Sequence, residues 1–328
     1  MDGEAKARAH ANIALAKYWG KADVALNLPA VPSLSMTLSP LNTTTHVRFD
    51  AALTADTLQL DGQPASEAEH VRASALLSRV REAAGITEHA AVTSDNDFPT
   101  AAGLASSASG FCALAAAARA AAALPFDRGA ISALSRLSSA SAARSAFGGF
   151  VELPAGRPGD AGLQARQVAP VEHWDLRIVV AVTAEGRKDV GSTDGMTHTR
   201  DTSPYYDAWV SAAPALCDEV RAGVAARDLV RVGEAMEHST LSMHACAMAA
   251  APAVIYFQPA TLGVLHRLRA LRRDEGLRAY ATMDAGPHVK ALCHADDVDD
   301  VQRRLGDTDG VLRTIVARLG GGVELIDD

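Results

Sequence analysis

The chain has 328 residues, 48% of them hydrophobic and 21% charged, with a formal net charge of −8. This composition excludes long disorder, and the acidic balance argues against a general nucleic-acid binder and against adhesion to anionic membranes. Any anionic ligand must therefore be held by a local cationic cluster, and the length predicts two domains or one large α/β unit.

The four cysteines, Cys112, Cys217, Cys246 and Cys293, are far apart and form no CxxC pair, which fits neither a zinc site nor a disulfide framework. Met1 to His10 lacks the apolar centre of a signal peptide. The longest apolar run, Ala113 to Leu124, contains Arg119 and is too short to span a bilayer. A reducing cytoplasm is the expected location, with neither nucleic acid nor membrane as partner.

In chain order, Thr43 to Phe49 alternates with β-branched residues, and Thr57 to Leu60 runs into an Asp61-Gly62 turn, a hairpin signal. Ala68 to Ala84 has helical spacing, with Val71, Ala75, Leu76 and Val80 on one face and a stop at Gly85. Ala90 to Thr93 reads as a strand. Ser106 to Leu124 is a helix by its alanine content and the serines at its start. A second helix is expected over Arg128 to Ser145, ended by Gly148-Gly149, and then a strand at Phe150 to Leu153.

Leu176 to Thr183 reads as a buried strand. The character changes near residue 185, giving expected domains at 1–184 and 185–328. Tyr205 to Arg273 is mostly helical. Ala279 to Met283 and His288 to Cys293 read as strands flanking Asp284-Ala285-Gly286-Pro287. A helix at Val298 to Leu305 and a strand at Val323 to Ile326 follow.

Three groups of residues carry chemistry. Pro99 to Ser109 leads a proline-broken loop into a helix, whose N-terminus offers unpaired N–H groups and partial positive charge to an anion. Gly103 permits close approach, and Ser106 or Ser107 can donate a hydroxyl or bind Mg²⁺. No Gly-Lys-Ser/Thr follows, so this is not a Walker A loop, and an ordinary serine-capped helix fits the same pattern. The cations must come from elsewhere. Lys17 and Lys21, in NIALAKYWGK, would share a face if that piece were helical. A solvated face is the plainer reading of such a pair, but Tyr18, Trp19 and Gly20 between them are costly to expose. Arg144 lies among Ser138, Ser139, Ser141 and Ser145, where small residues leave room for a ligand gripped by a guanidinium. Arg187, Lys188, Ser192 and Thr193 form a further basic and hydroxyl stretch. Asp284 is either a turn residue or the carboxylate that orients a hydroxyl for phosphoryl transfer, with Lys17 as the candidate neighbour keeping it ionised. The eleven histidines show no metal-ligand spacing.

Taken together, NIALAKYWGK (12–21), PSLSMTL (32–38), NDFPTAAGLASSAS (96–109), SAARSAFGGFVEL (141–153), RKDVGSTDGM (187–196) and MDAGPHVKAL (283–292) resemble diphosphomevalonate decarboxylases. These belong to the superfamily of galactokinase, homoserine kinase, mevalonate kinase and phosphomevalonate kinase. The segments span almost the whole chain. The phosphate loop alone points only to the superfamily, whereas KYWGK and the Arg144 segment are much more specific to the decarboxylases.

The resemblance implies an α+β, two-domain small-molecule kinase fold, with an N-terminal α/β domain, a C-terminal ferredoxin-like domain and a cleft between. It also implies a homodimer, ATP and Mg²⁺, and conversion of mevalonate 5-diphosphate to isopentenyl diphosphate. Asp284, Lys17 and Arg144 would be catalytic. Asn12, Tyr18, Lys21, Ser139, Ser141 and Ser192 would contact the substrate. Asn96, Gly103, Ser106, Ser107 and Lys188 would approach the nucleotide. His288 stands where asparagine is usual, Pro32 for a serine, Ala140 for a glycine and Leu241 where many members carry asparagine. A mevalonate 5-phosphate decarboxylase, a mevalonate 3-kinase and a catalytically silent relative are the alternatives.

Overall fold

A computed structural model describes residues 3–98, 106–186 and 189–327. The chain begins with β1 (Glu4–Ala16), a short hairpin of β2 (Lys21–Asp23) and β3 (Leu28–Pro29), and the long β4 (Ser33–Asp50). Then come β5 (Thr57–Leu60), β6 (Gln63–Pro64), α1 (Glu67–Ala84), β7 (His89–Asn96), α2 (Ser106–Ala121), α3 (Arg128–Ser138) and α4 (Ala142–Ser145). β8 (Phe150–Leu153), β9 (Arg166–Ala169) and β10 (Leu176–Val182) precede four helices, α5 (Ser192–Thr202), α6 (Tyr206–Ala226), α7 (Leu229–Met248) and α8 (Pro259–Glu275). The chain ends with β11 (Tyr280–Thr282), β12 (Val289–His294), α9 (Val298–Gly306), β13 (Arg313–Leu319) and β14 (Glu324–Ile326).

Apart from the β2–β3 hairpin, the described strands form one sheet ordered β11-β12-β10-β13-β4-β7-β5-β6, with β1 between β4 and β14, and β8 between β4 and β9. β4 is its spine: the first half pairs with β8, the second with β7, and both halves pair with β1. Beyond position 43, β4 buries Thr43, Thr45, Val47 and Phe49 in strict alternation, the pattern of a strand with one face on a core. α1 and α2 cover that face through Leu76, Leu77, Val80, Phe111 and Leu114. The buried alanines of α2 let its backbone lie close to β1 and β4. α6 and α7 pack Val220, Val224, Val232 and Met236 against Ile13, Leu15 and Leu34, while α8 and α9 cover β10 to β12. β10 is hydrogen-bonded to β12 and β13, both later than residue 185, and β14 pairs with β1.

Local chemistry explains the element ends. Glu69 accepts from the Ser66 N–H at 3.0 Å at the start of α1, and Gly85 closes that helix at φ 68°. Three expectations are corrected. The single helix expected over 128–145 is two, because Ser139 is extended at φ −155° before α4 begins. Serine hydroxyls offer the backbone alternatives to helical hydrogen bonds, and here the Ser139 and Ser141 hydroxyls lie 3.1 Å apart. Val71, assigned to the apolar face of α1, is 60% exposed; Ala73, Leu76, Leu77 and Val80 are the buried set. Lys17 and Lys21 share no helix: Lys17 directly follows β1 and Lys21 opens β2. The turn between them needs glycine, since Gly20 has φ +104° and a Cβ there would lie 2.1 Å from the Tyr206 hydroxyl.

Candidate active site

β1 and β11 are joined across the core by a side chain. The Thr282 hydroxyl donates to the Ala14 carbonyl at 3.0 Å and lies 3.2 Å from the Thr240 hydroxyl on α7. The Lys17 N–H donates to Ser239, also on α7, at 2.9 Å. These bonds fix the end of β1 beside the turn after β11, which carries Asp284. Lys17 Nζ donates to Asp284 Oδ1 at 2.8 Å, and Lys290 Nζ reaches Oδ2 at 3.4 Å. Lys290 is the cross-strand partner of Thr282 on β12.

Both lysines are buried, at 2% and 1% exposure, while the Asp284 side chain keeps 29% and can be reached by a ligand. Burial would raise the Asp284 pKa, but Lys17 and Lys290 outweigh it and hold the carboxyl well below the usual range. Burial lowers Lys17 to about 8 against the opposing pull of Asp284.

Arg144 enters the same space from α4, 3% exposed. It donates from Nη1 to the Ser33 hydroxyl at 2.7 Å and from Nη2 to Asn12 Oδ1 at 3.1 Å. Asn12 in turn donates to the Ser145 hydroxyl at 2.8 Å and the Ser141 carbonyl at 3.0 Å, so β1, β4 and the serine-rich segment lock one guanidinium. Burial lowers the Arg144 pKa to about 10, with Asp284 opposing. Three cations around one carboxylate leave the cluster two positive charges in excess, inside a chain of net charge −8. Among the described residues the Tyr18 hydroxyl and Arg144 Nε are buried without a hydrogen-bond partner, and an anion bound here would satisfy such donors.

Lys21 opens β2, and Ser192 begins α5, whose Gly195 packs against the Trp19 ring. Burial lowers the Lys21 pKa, and Asp194 of α5 opposes it.

A second recess opens at the start of α2. Ser106, Ser107 and Asn96 line it together with the apolar Leu58, Leu60, Val92, Phe111 and Leu114. This combination of flat apolar walls and a helix N-terminus suits a purine nucleotide carrying phosphates. Asn96 is itself tied down: its side chain donates to Asp61 at 3.3 Å and accepts from Thr43 at 2.7 Å. Gly103 and Lys188, expected at the nucleotide, and Arg187 beside them lie outside the described residues.

The sequence reading missed two groups. Lys290 was passed over although it is the one charged residue in the apolar run Val289 to Cys293, a visible anomaly in a buried strand. His244, on α7, is the second. It is buried at 1%, lowered to about 3 by burial and then by Lys17, and stays neutral beside the cluster.

Residues 9–163 match the diphosphomevalonate decarboxylase-like N-terminal domain, and residues 178–309 match the mevalonate 5-diphosphate decarboxylase C-terminal domain. The diphosphomevalonate decarboxylase of Candida albicans is 34% identical over 301 residues, covering 87% of this chain and 83% of that protein. The phosphomevalonate decarboxylase of Haloferax volcanii is 32% identical over 325 residues, covering 99% and 98%. A solved structure, MDDEF in complex with MVAPP, AMPPCP and magnesium, superposes with a TM-score of 0.93 at 37% identity, over the full length of both chains. The two-domain α+β fold inferred from the sequence is that of these proteins, and the chain belongs to the diphosphomevalonate decarboxylase family.

Proposed function

We propose that this chain catalyses ATP-dependent decarboxylation of mevalonate 5-diphosphate, yielding isopentenyl diphosphate, ADP, phosphate and CO₂. The observation that carries the reading is the Asp284 carboxylate, clasped at both oxygens by lysines and overlooked by Arg144.

The tertiary 3-hydroxyl of the substrate leaves poorly until it becomes a phosphate ester. Asp284 accepts a hydrogen bond from that hydroxyl and aims it at the γ-phosphoryl of ATP. Two ammonium neighbours make Asp284 a weak base, so its main work before transfer is orientation. It takes the proton late, when the forming P–O bond makes the hydroxyl acidic. Lys17 keeps the carboxylate charged and balances charge developing on the transferred group. Arg144 holds the substrate carboxylate against C3. Departure of the 3-phosphate leaves positive charge at C3, and the electrons of the breaking C–CO₂ bond form the new double bond. Holding both reacting ends in register is worth up to roughly 7–11 kcal/mol of barrier.

Tyr18, Lys21, Ser139, Ser141 and Ser192 serve the substrate's diphosphate end. Asn96, Gly103, Ser106, Ser107 and Lys188 serve the nucleotide. A serine hydroxyl of α2 would help to hold Mg²⁺, with ATP's own phosphates as its other ligands. When bound, it supplies charge neutralisation at the phosphates.

The chain is further proposed to work as a homodimer in the cytoplasm, with 1–184 and 185–328 as its two lobes. Four buried free cysteines suit a reducing compartment, and among the described residues no helix is long and apolar enough to cross a membrane. Light scattering tests the dimer, and limited proteolysis between the lobes tests the division. The decisive experiment supplies Mg·ATP with mevalonate, its 5-phosphate or its 5-diphosphate and measures ADP and CO₂. Equal yields of both, greatest with the diphosphate, are expected. ADP without CO₂, or preference for the monophosphate, overturns the reading.

A further inference from the structure

Beyond weakening Asp284 as a base, Lys290 has no role in the scheme above, and its setting is unusual. Its strand neighbours Val289, Ala291, Leu292 and Cys293 are buried and apolar, and β12 is paired on both sides, by β10 and β11. A methionine of similar length would pack there without desolvating a charge, and replacing buried ions by apolar residues is often neutral or stabilising. An ammonium has three donors. Among the described residues, that of Lys290 makes one hydrogen bond, to Asp284 Oδ2. The charge is therefore poorly explained by packing and points to Asp284.

A carboxylate held at one oxygen can still turn about its Cβ–Cγ bond, which swings the other oxygen by ångströms. A second donor on the other oxygen removes that rotation. We propose that Lys290 is a positioning residue for phosphoryl transfer, holding Asp284 Oδ2 while Lys17 holds Oδ1, so that the carboxylate meets the substrate hydroxyl in one fixed plane. This rests on the decarboxylase reading and deepens it. The 3.4 Å contact, longer than the 2.8 Å contact of Lys17, marks Oδ2 as the oxygen more easily shared with an incoming hydroxyl.

The same geometry gives a readout that a packing role would not move. Lys17 is faced by Asp284 from the turn after β11, Lys290 from β12, Arg144 from α4 and His244 from α7, which is neutral. Burial first, then the two like charges Lys290 and Arg144, lower Lys17 to about 8, with Asp284 opposing. Removing the Lys290 charge therefore makes Lys17 hold its proton to higher pH.

The test compares parent, Lys290→Met and Lys290→Arg by CO₂ release from mevalonate 5-diphosphate with Mg·ATP, from about pH 6 to 10. For Lys290→Met, kcat should fall by roughly 10²-fold with KM within about threefold, the pattern of an interaction made in the transition state. The alkaline limb of kcat/KM should also move up by about half a unit or more. Lys290→Arg keeps the charge, so its limb should stay with the parent while kcat is partly restored. An unmoved limb in folded Lys290→Met, a rise in KM alone, or a shifted limb in Lys290→Arg overturns the proposal. If Lys290→Met fails to fold, Lys290→Gln is held to the same outcomes, and the Lys290→Arg result still decides. A parent that releases no CO₂ from any of the three mevalonates overturns the functional reading itself, whereas an active parent with these contrary variants overturns only the role of Lys290.

Discussion

Replacing Asp284 by asparagine keeps the side-chain shape and removes the one negative charge from the cluster. Activity should fall by about 10²–10⁴-fold or more, the usual contribution of a group that orients and accepts the reacting proton. Stability should change far less. Breaking a buried ion pair generally costs about 3–5 kcal/mol when the survivor remains charged. Lys17, however, sits near 8 even with its partner present. At pH 7 its proton is therefore worth only on the order of 1 kcal/mol. Without Asp284, burial acts on Lys17 with less opposition and the amine sheds its proton, so the loss through this residue stops at about that figure.

The pH dependence has a definite sign. Lys17 titrates lower in the folded chain, at about 8, than its ordinary 10.5, so between those values the unfolded chain binds more protons. Stability from this group rises with pH across that window. By about pH 9, Lys17 is neutral in folded parent and folded variant alike, and its share of the difference disappears. Urea unfolding of both proteins at pH 7 and pH 9 measures this, alongside CO₂ release at pH 7. A destabilisation above about 4 kcal/mol at pH 7, one that fails to shrink at pH 9, or activity within about tenfold of the parent would refute the reasoning.

Arg144→Lys should lower kcat/KM by about 10²-fold or more, because a point charge cannot satisfy Ser33 and Asn12 at once and still grip a carboxylate; steady-state kinetics with varied substrate checks this. Ser107→Ala should raise KM for ATP by roughly five- to tenfold, with an unchanged thermal midpoint, since the serine is exposed at the tip of α2. Acid should unfold the protein early. His244 and His288 are lowered by burial to about 3 and about 4, so the unfolded chain takes up their protons first as pH falls below 6.5. Each should remove about 1–2 kcal/mol between pH 6.5 and 5, and denaturant titrations of His244→Leu should show a shallower loss.

Much of this arrangement could be read from the residues alone. Thr57–Leu60 and Phe150–Leu153 coincide with β5 and β8, where alternation or a short apolar run is bounded by turn residues. β1 escaped notice because Ala11 to Ala16 is buried throughout and alanine-rich, which is a helical composition overridden here by pairing with β4. The shared face for Lys17 and Lys21, conditional on a helix there, is lost with that pairing. Asp284, Lys17, Arg144 and Asn12 were singled out and do meet. Lys290 was not, because the bond that identifies it depends on how β11 and β12 pair, and register is a tertiary property. The hydrogen-bonded clamp on Asn96 was equally invisible, since Thr43 and Asp61 reach it from different strands and turns.

The pairing of β13 with β4 and of β14 with β1 bears on how the protein comes into being. A ribosome delivers β1 and β4 before β13 and β14, so their edges there stay open until residues 313–326 emerge. The Lys17–Asp284 contact likewise joins positions 267 apart. Closure over such separations is slow and leaves sheet edges exposed meanwhile. A nascent or prematurely ended chain would therefore offer sticky strand edges to chaperones while lacking any catalytic centre.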